Sequence, residues 1–142
     1  MSDEGSVASA LRAYFEDEAP EFVVAAYLFG SEAEGRAHRE SDVDVGVLVD
    51  REALPEKRQR FDYRVRLGSE LIARLHRNRV DVVLLGDAPP LLARRIVTEG
   101  DCVYRRAPAA DHDFVRDVQL RAADVAPFVE RGRRRLLERL RS

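Results

Sequence analysis

The apolar and polar positions of the chain switch between helical and strand-like periods, and the switches predict eight elements. Apolar residues recur at helical spacing over residues 6–18, 55–77, 91–98 and 114–140. Strand-like runs occupy residues 22–29, 42–49, 80–85 and 102–105. Pro127 and Gly132 predict interruptions in the last helical segment. The order α-β-β-α-β-α-β-α predicts an α+β fold, with a small mixed sheet of about four strands, flanking helices and a long C-terminal helix.

The first two strands have different patterns. Residues 22–29 are almost all apolar, which is typical of a strand buried on both faces. Residues 42–49 alternate instead, with valines at 43, 45, 47 and 49 on one face. Asp42, Asp44, Gly46 and Leu48 share the other face. We therefore expect the second strand to carry two carboxylates on one side of the sheet.

Composition limits the classes of function that need to be considered. The chain has 142 residues, 45% of them hydrophobic and 35% charged, which predicts one globular domain over residues 1–142 with a closing helical segment over 111–142. A formal net charge of −2 gives no reason to expect direct nucleic-acid binding, and no apolar run is long enough to span a membrane. Residues 1–5 carry no signal-peptide pattern and Cys102 is the single cysteine, so we expect a cytoplasmic protein.

The segment from residue 30 to residue 44 carries the candidate chemistry. Gly30 and Ser31 form a small-residue turn after an apolar strand, and backbone N–H groups in such turns bind phosphate. Asp42 and Asp44 have Cα atoms roughly 6.6 Å apart on one strand face, so both carboxylates can reach one metal cluster. Asp81, near the start of a later apolar strand, is the candidate third carboxylate. Two Mg²⁺ ions about 3.5–4 Å apart would neutralise these charges and assist an in-line displacement.

Each of these motifs has an ordinary explanation when it stands alone. Most Asp-x-Asp pairs are solvated strand ends, and a lone aspartate such as Asp81 often marks the boundary between a helix and a strand. Here Gly30, Ser31, Ser41, Asp42 and Asp44 occur together, between two predicted strands. This combination favours a phosphate and metal site that serves phosphoryl or nucleotidyl transfer.

Residues 27–49 resemble the motif of the polymerase-β-like nucleotidyltransferase superfamily, in which Gly-Ser is followed by Ser-Asp-x-Asp and a third aspartate lies on a later strand. Within that superfamily the chain resembles the minimal nucleotidyltransferases, in particular the MNT-type antitoxins that are paired with HEPN ribonuclease toxins. The resemblance implies that Gly30 and Ser31, together with Ser41 and Arg36, bind the nucleotide. It also implies that Asp42, Asp44 and Asp81 hold two Mg²⁺ ions and are the catalytic residues.

The expected function follows from this resemblance. MNT-type antitoxins transfer AMP from ATP to a tyrosine hydroxyl of the toxin, so we expect a hetero-oligomer with a HEPN-type toxin and an adenylyltransferase activity. One alternative is an antitoxin that occludes the toxin with little or no catalysis. Another is a small-molecule nucleotidyltransferase of the kind that modifies aminoglycosides, although the chain is too short for the second domain of those enzymes.

One position departs from the family motif. Members commonly have Gly-Ser-x-Ala-Arg-Gly, whereas this chain has Glu34 in place of the arginine. An arginine there could contact phosphate, and a glutamate facing the nucleotide would repel it. Either Glu34 points to solvent, or Arg36 and Arg39 take over the phosphate contact and the nucleotide preference is altered.

The remaining chemically active side chains give weaker predictions. His76 and His112 have no His or Cys neighbour at metal-ligand spacing, so we assign them no metal. His38 lies in the motif loop, where it either contacts phosphate or is an exposed loop residue. We assign the four tyrosines to packing. The arginines of the closing helix form either a solvated face or a docking surface for an acidic partner or RNA.

Overall fold

The computed structural model describes residues 3–30 and 42–141. The elements follow the predicted order: α1 Asp3–Glu18, β1 Val23–Phe29, β2 Val43–Val49, α2 Lys57–Leu75, β3 Val80–Leu84, α3 Pro90–Glu99, β4 Asp101–Arg105 and α4 Pro108–Arg141. Their arrangement is the expected one, a four-stranded mixed sheet flanked by helices. None of the helices in this described part of the chain combines the length and apolar character needed to cross a membrane.

The sheet has the strand order β3-β2-β1-β4, so β1 and β2 are its central strands. β2 runs antiparallel to β1 and parallel to β3, and β4 runs antiparallel to β1 on the other side. The first six residues of β1 are buried, which confirms that its apolar run serves a strand covered on both faces. β3 is an edge strand and pairs only with β2 within the described residues.

Helices cover the two faces of the sheet in pairs. One face holds the larger core, in which Val43, Val45 and Val47 of β2 pack with apolar residues of α1 and α2. The other face packs Leu48 of β2 with Ile96 of α3 and Phe114 of α4. The alternation in residues 42–49 therefore separates two cores, as its period predicts.

The prediction that the last helix is interrupted near Pro127 and Gly132 was wrong, because α4 is one helix from Pro108 to Arg141. A proline removes one backbone donor and a glycine lowers helix propensity by roughly 1 kcal/mol. The backbone hydrogen bonds of the other residues in a 34-residue helix remain available, so two weak positions do not divide it.

A buried polar cluster fastens the start of α4 to the central strand. The Tyr27 hydroxyl donates to Asp111 Oδ1 at 2.6 Å, and Arg105 Nε donates to Asp111 Oδ2 at 2.8 Å. Asp111 is fully buried, so its charge requires both partners. Burial raises the pKa of the Tyr27 hydroxyl well above its usual range, and the hydrogen bond to the Asp111 carboxylate raises it further. Tyr27 therefore does more than the packing role that we had assigned to it.

Replacing Asp111 tests this cluster. Asp111→Ala leaves the Tyr27 hydroxyl buried without an acceptor, and we expect it to lower the free energy of unfolding by about 3 kcal/mol. Asp113→Ala is the matched control, because Asp113 is exposed and its ion pair with Arg116 is a surface pair worth less than about 1 kcal/mol. Urea denaturation of both variants measures the difference, and equal stabilities would contradict the assignment.

Candidate active site

The predicted acids meet at one end of the sheet, where β1 ends and β2 and β3 begin. In the parallel pairing of β2 with β3, Asp44 lies level with Asp81. In the antiparallel pairing of β1 with β2, Phe29 lies opposite Asp44, so Gly30 follows directly beside it. Asp42 precedes Asp44 by two residues and faces the same side. The sheet thus places Asp42, Asp44 and Asp81 on one face next to the turn at Gly30.

Gly30 is required by both its backbone and its neighbour. Its φ of +79° lies in the left-handed region that glycine adopts without strain. A Cβ atom built on it would lie 2.5 Å from Asp44 Oδ2, closer than any side chain tolerates. The absence of a side chain at Gly30 therefore lets the end of β1 approach the carboxylate of Asp44.

A second glycine, Gly46, lies where α3 packs on the face of β2 that carries the acids. A Cβ atom on Gly46 would lie 2.8 Å from Cγ2 of Ile96 and 3.0 Å from Cδ2 of Leu85. Because Gly46 lacks a side chain, α3 packs directly on β2 at this point. Asp44 lies two residues earlier on the same face and is partly exposed. The helix layer thus ends between Gly46 and Asp44, which leaves the acids accessible.

The three carboxylates affect one another electrostatically. Partial burial raises the pKa of Asp44 above its usual value, and the nearby charges of Asp81 and Asp42 raise it further. Arg79 opposes this effect. The folded protein therefore carries an electrostatic cost at this end of the sheet whenever all three acids are ionised.

Arg79 is a contact of the acids that the sequence analysis missed. Its Nε donates to Asp81 Oδ1 at 3.1 Å and lies 4.0 Å from Asp42 Oδ2. The spacing of Arg79 and Asp81 could have predicted this contact, since residues two apart on a strand share a face. The side chain of Arg79 is largely exposed and brings a positive charge between two of the acids.

The donor chemistry at this end of the sheet suits a divalent cation. Mg²⁺ prefers oxygen ligands such as carboxylates, and a cation bound here would offset the like charges that Asp42 and Asp81 place beside Asp44. Arg79 already contacts two of these acids. Within residues 3–30 and 42–141, however, no three His, Cys, Asp or Glu side chains converge closely enough to hold a metal ion. The acids share a face and a strand end without forming a preassembled cluster.

The other predicted nucleotide-binding residues, Ser31, Arg36 and Ser41, lie outside the described residues, as does Glu34. Their assignment stays a prediction.

An open cleft of about 570 Å³ lies beside the acids. Asp44 and Asp81 line one side of it, together with Phe29, and Arg64 and Val65 of α2 line another. The cleft is therefore large enough for a ligand group to reach the carboxylates from the side of β3.

Gly30→Ala should disturb the site directly, because it strains the backbone by about 1–2 kcal/mol and places a methyl group against Asp44. We expect a lower melting temperature, measured by calorimetry. Gly86→Ala is the control, since the nearest atom to its added Cβ would be the flexible end of Arg51 at 3.9 Å. A Gly30→Ala protein that is as stable as the wild type would contradict the close approach.

Asp44→Asn should stabilise the metal-free protein at neutral pH. Since the pKa of Asp44 is higher in the folded than in the unfolded chain, the folded state binds more protons between those two values, and stability falls as pH rises through that range. Removing the charge removes this penalty. In EDTA at pH 7 we expect a melting temperature above that of the wild type, with the difference closing below the ordinary aspartate pKa. A lower melting temperature for Asp44→Asn at pH 7 would overturn this account, and Asp113→Asn serves as the exposed control.

Comparisons with known proteins give the family and the fold of the chain. The family model described as "Polymerase beta, Nucleotidyltransferase" matches residues 10–109. A chain of a toxin–antitoxin complex with AMP-PNP is 24% identical, with a TM-score of 0.62 over 95% of this chain and 98% of that chain. A complex of an MNT antitoxin with the tri-AMPylated HEPN toxin of Shewanella oneidensis contains a chain that is 20% identical, with a TM-score of 0.58 over 98% of this chain and 99% of that chain.

A candidate minimal nucleotidyltransferase is 28% identical and has a TM-score of 0.55, over 70% of this chain and 94% of that chain. A search of curated proteins returned no match. The similarities below 25% identity establish the fold, and the family model covers 100 of the 142 residues, including Gly30, Asp42, Asp44 and Asp81. The chain therefore belongs to the polymerase beta nucleotidyltransferase family.

Proposed function

We propose that this protein is a Mg²⁺-dependent adenylyltransferase that transfers AMP from ATP to a tyrosine hydroxyl of a HEPN-type RNase toxin and thereby acts as its antitoxin. The observation that supports the proposal most directly is the arrangement of Gly30, Asp44 and Asp81 across neighbouring strands. Gly30, in a left-handed conformation, lies against the carboxylate of Asp44, and Asp81 is the residue paired with Asp44 on the next strand. The structural similarity to a chain from a complex that contains an AMPylated HEPN toxin supports the choice of acceptor.

In this proposal the residues have separate roles in nucleotide and metal binding. Gly30, with Ser31 after it, would hold the triphosphate, while Asp42, Asp44 and Asp81 would hold two Mg²⁺ ions. Mg²⁺ bound there would offset the charge that develops on the attacking and leaving oxygens. The tyrosine oxygen forms a bond to the α-phosphorus, the bond from that phosphorus to the β-phosphate oxygen breaks, and pyrophosphate leaves. The hydroxyl proton passes to Asp81 or to water.

Occlusion of the toxin without catalysis is the competing function. Occlusion requires only a binding surface. It gives no reason for three neighbouring carboxylates whose charges repel one another. The raised pKa of Asp44 shows that the fold bears this electrostatic cost. A site that binds a cation explains why it is tolerated.

The double variant Asp42→Ala and Asp44→Ala separates the two functions. Because it removes like charges, we expect the fold to survive and the transfer of label from α-labelled ATP to the toxin to fall to background. The matched control is Asp113→Ala with Asp117→Ala, which removes two exposed acids from α4. Undiminished transfer by the site variant would overturn the assignment of these residues. Full neutralisation of the RNase by a variant that transfers no AMP would instead establish occlusion.

A further inference from the structure

A groove runs along the free edge of β3, between α2 and α3. It consists of the cleft beside the acids and a second cavity of about 280 Å³. The two cavities share the lining residues Arg64, Val82, Val83 and Leu92, so they adjoin along the strand. We call this depression the β3 groove. Its floor is a five-residue strand about 16 Å long, with Asp81 near one end.

The walls of the β3 groove carry several exposed apolar side chains. Phe61 and Val65 of α2 are 53% and 50% exposed, and Ile72 and Leu92 are 37% and 38% exposed. Helix α2 thus carries two apolar stripes, since Tyr63, Leu67 and Leu71 face the core while Phe61, Val65 and Ile72 line the groove. Contiguous exposed apolar surface of this kind marks interaction sites.

The charges in the β3 groove are arranged along its length. Asp44 and Asp81 lie at one end, and Arg64 lies where the cavities meet. Lys57 lines the far cavity together with Asp87, whose charge is paired with Arg60. Within the described ranges 3–30 and 42–141, neither Lys57 nor Arg64 has a carboxylate partner, and Arg64 contacts only the ring of Phe61, at 5.1 Å. These two cations are therefore available to an acidic occupant.

The position of the β3 groove relative to Gly30 indicates which reactant binds in the groove. Gly30 follows β1, on one side of Asp44, whereas the groove begins at Phe29 and Asp44 and extends past Asp81 along the outer edge of β3. In an in-line displacement the incoming hydroxyl approaches opposite to the leaving pyrophosphate. With the triphosphate at Gly30, as the proposed function has it, the acceptor enters from the side of β3.

We propose that the β3 groove is the docking surface for the segment of the partner protein that carries the acceptor hydroxyl, and this inference rests on the proposed function. The segment places its hydroxyl at Asp81, apolar side chains against Phe61 and Val65, and an acidic side chain near Arg64 and Lys57. A nucleic acid fits less well, because Asp44, Asp81 and Asp87 would face its phosphates. A small acceptor would fill the cleft beside the acids and leave the far cavity without a contact.

The double variant Lys57→Glu with Phe61→Ser tests the docking surface. Both residues line only the far cavity and not the cleft beside the acids, and both are exposed, so neither the reacting atoms nor the core should change. The probe is the HEPN-type toxin that the proposed function gives as the partner. We expect its Kd, by calorimetry, and its KM in AMP transfer to rise about tenfold or more, while the KM for ATP and the kcat at saturating partner stay within about twofold.

The matched control is Arg58→Glu with Leu120→Ser, which makes the same changes at exposed residues that line neither cavity. Unchanged partner affinity in the groove variant, or equal loss in the control, would overturn the docking assignment. Loss of affinity for an RNA oligonucleotide with partner binding intact would also overturn it. If the wild type binds the partner but transfers no AMP, the proposed function fails, and the calorimetric comparison still decides the groove.

Discussion

The structure depends on one constraint, the parallel pairing of β2 with β3 that sets Asp44 level with Asp81. This register concentrates negative charge at one end of the sheet, where two adjacent strands each contribute an acid and Asp42 adds a third. Partial burial and then the like charges of Asp81 and Asp42 raise the pKa of Asp44, so ionising all three acids opposes folding. The fold tolerates this because the opposite face of the same strands packs Val43, Val45 and Val47 into the larger core. The apolar face thus stabilises a register that the acidic face alone would disfavour.

Two glycines define how the acidic face meets its surroundings. Gly46 brings α3 onto the sheet and ends the covered region, while Gly30 brings the end of β1 against Asp44. Between them lies a short stretch of exposed strand with carboxylates on one face. On the side of β3, α2 is held in place by Arg60, whose Nε donates to Asp87 at 2.8 Å and whose Nη1 donates to the carbonyl oxygens of Leu54 and Pro55. This buried arginine fixes the wall of the β3 groove relative to the strand that carries Asp81.

Periodicity predicted the eight elements, the buried central strand and the shared face of the acids, because these properties depend on residues close together in the sequence. It failed where the decisive contact is distant or depends on register. The link between Tyr27 and Asp111 joins residues 84 positions apart, and no local pattern indicates it. The helical spacing of the apolar residues in α2 predicts a helix but not which of them are buried. Only the packed structure separates the buried stripe of Tyr63 and Leu67 from the exposed stripe of Phe61 and Val65. Pro127 lies within α4 without dividing it, because one missing backbone donor leaves the rest of the helix hydrogen-bonded.

The link between Tyr27 and Asp111 also has a consequence for the order in which the protein matures. β1 is synthesised early, yet its two remaining neighbours, β4 and the first turn of α4, come from residues 101–111. Closing so long a loop costs entropy, and a nascent chain cannot close it before those residues leave the ribosome. The strand that leads into Gly30 is therefore fully enclosed only after more than three quarters of the chain has been made. A truncated translation product would carry the motif of residues 30–44 without the scaffold that gives it geometry.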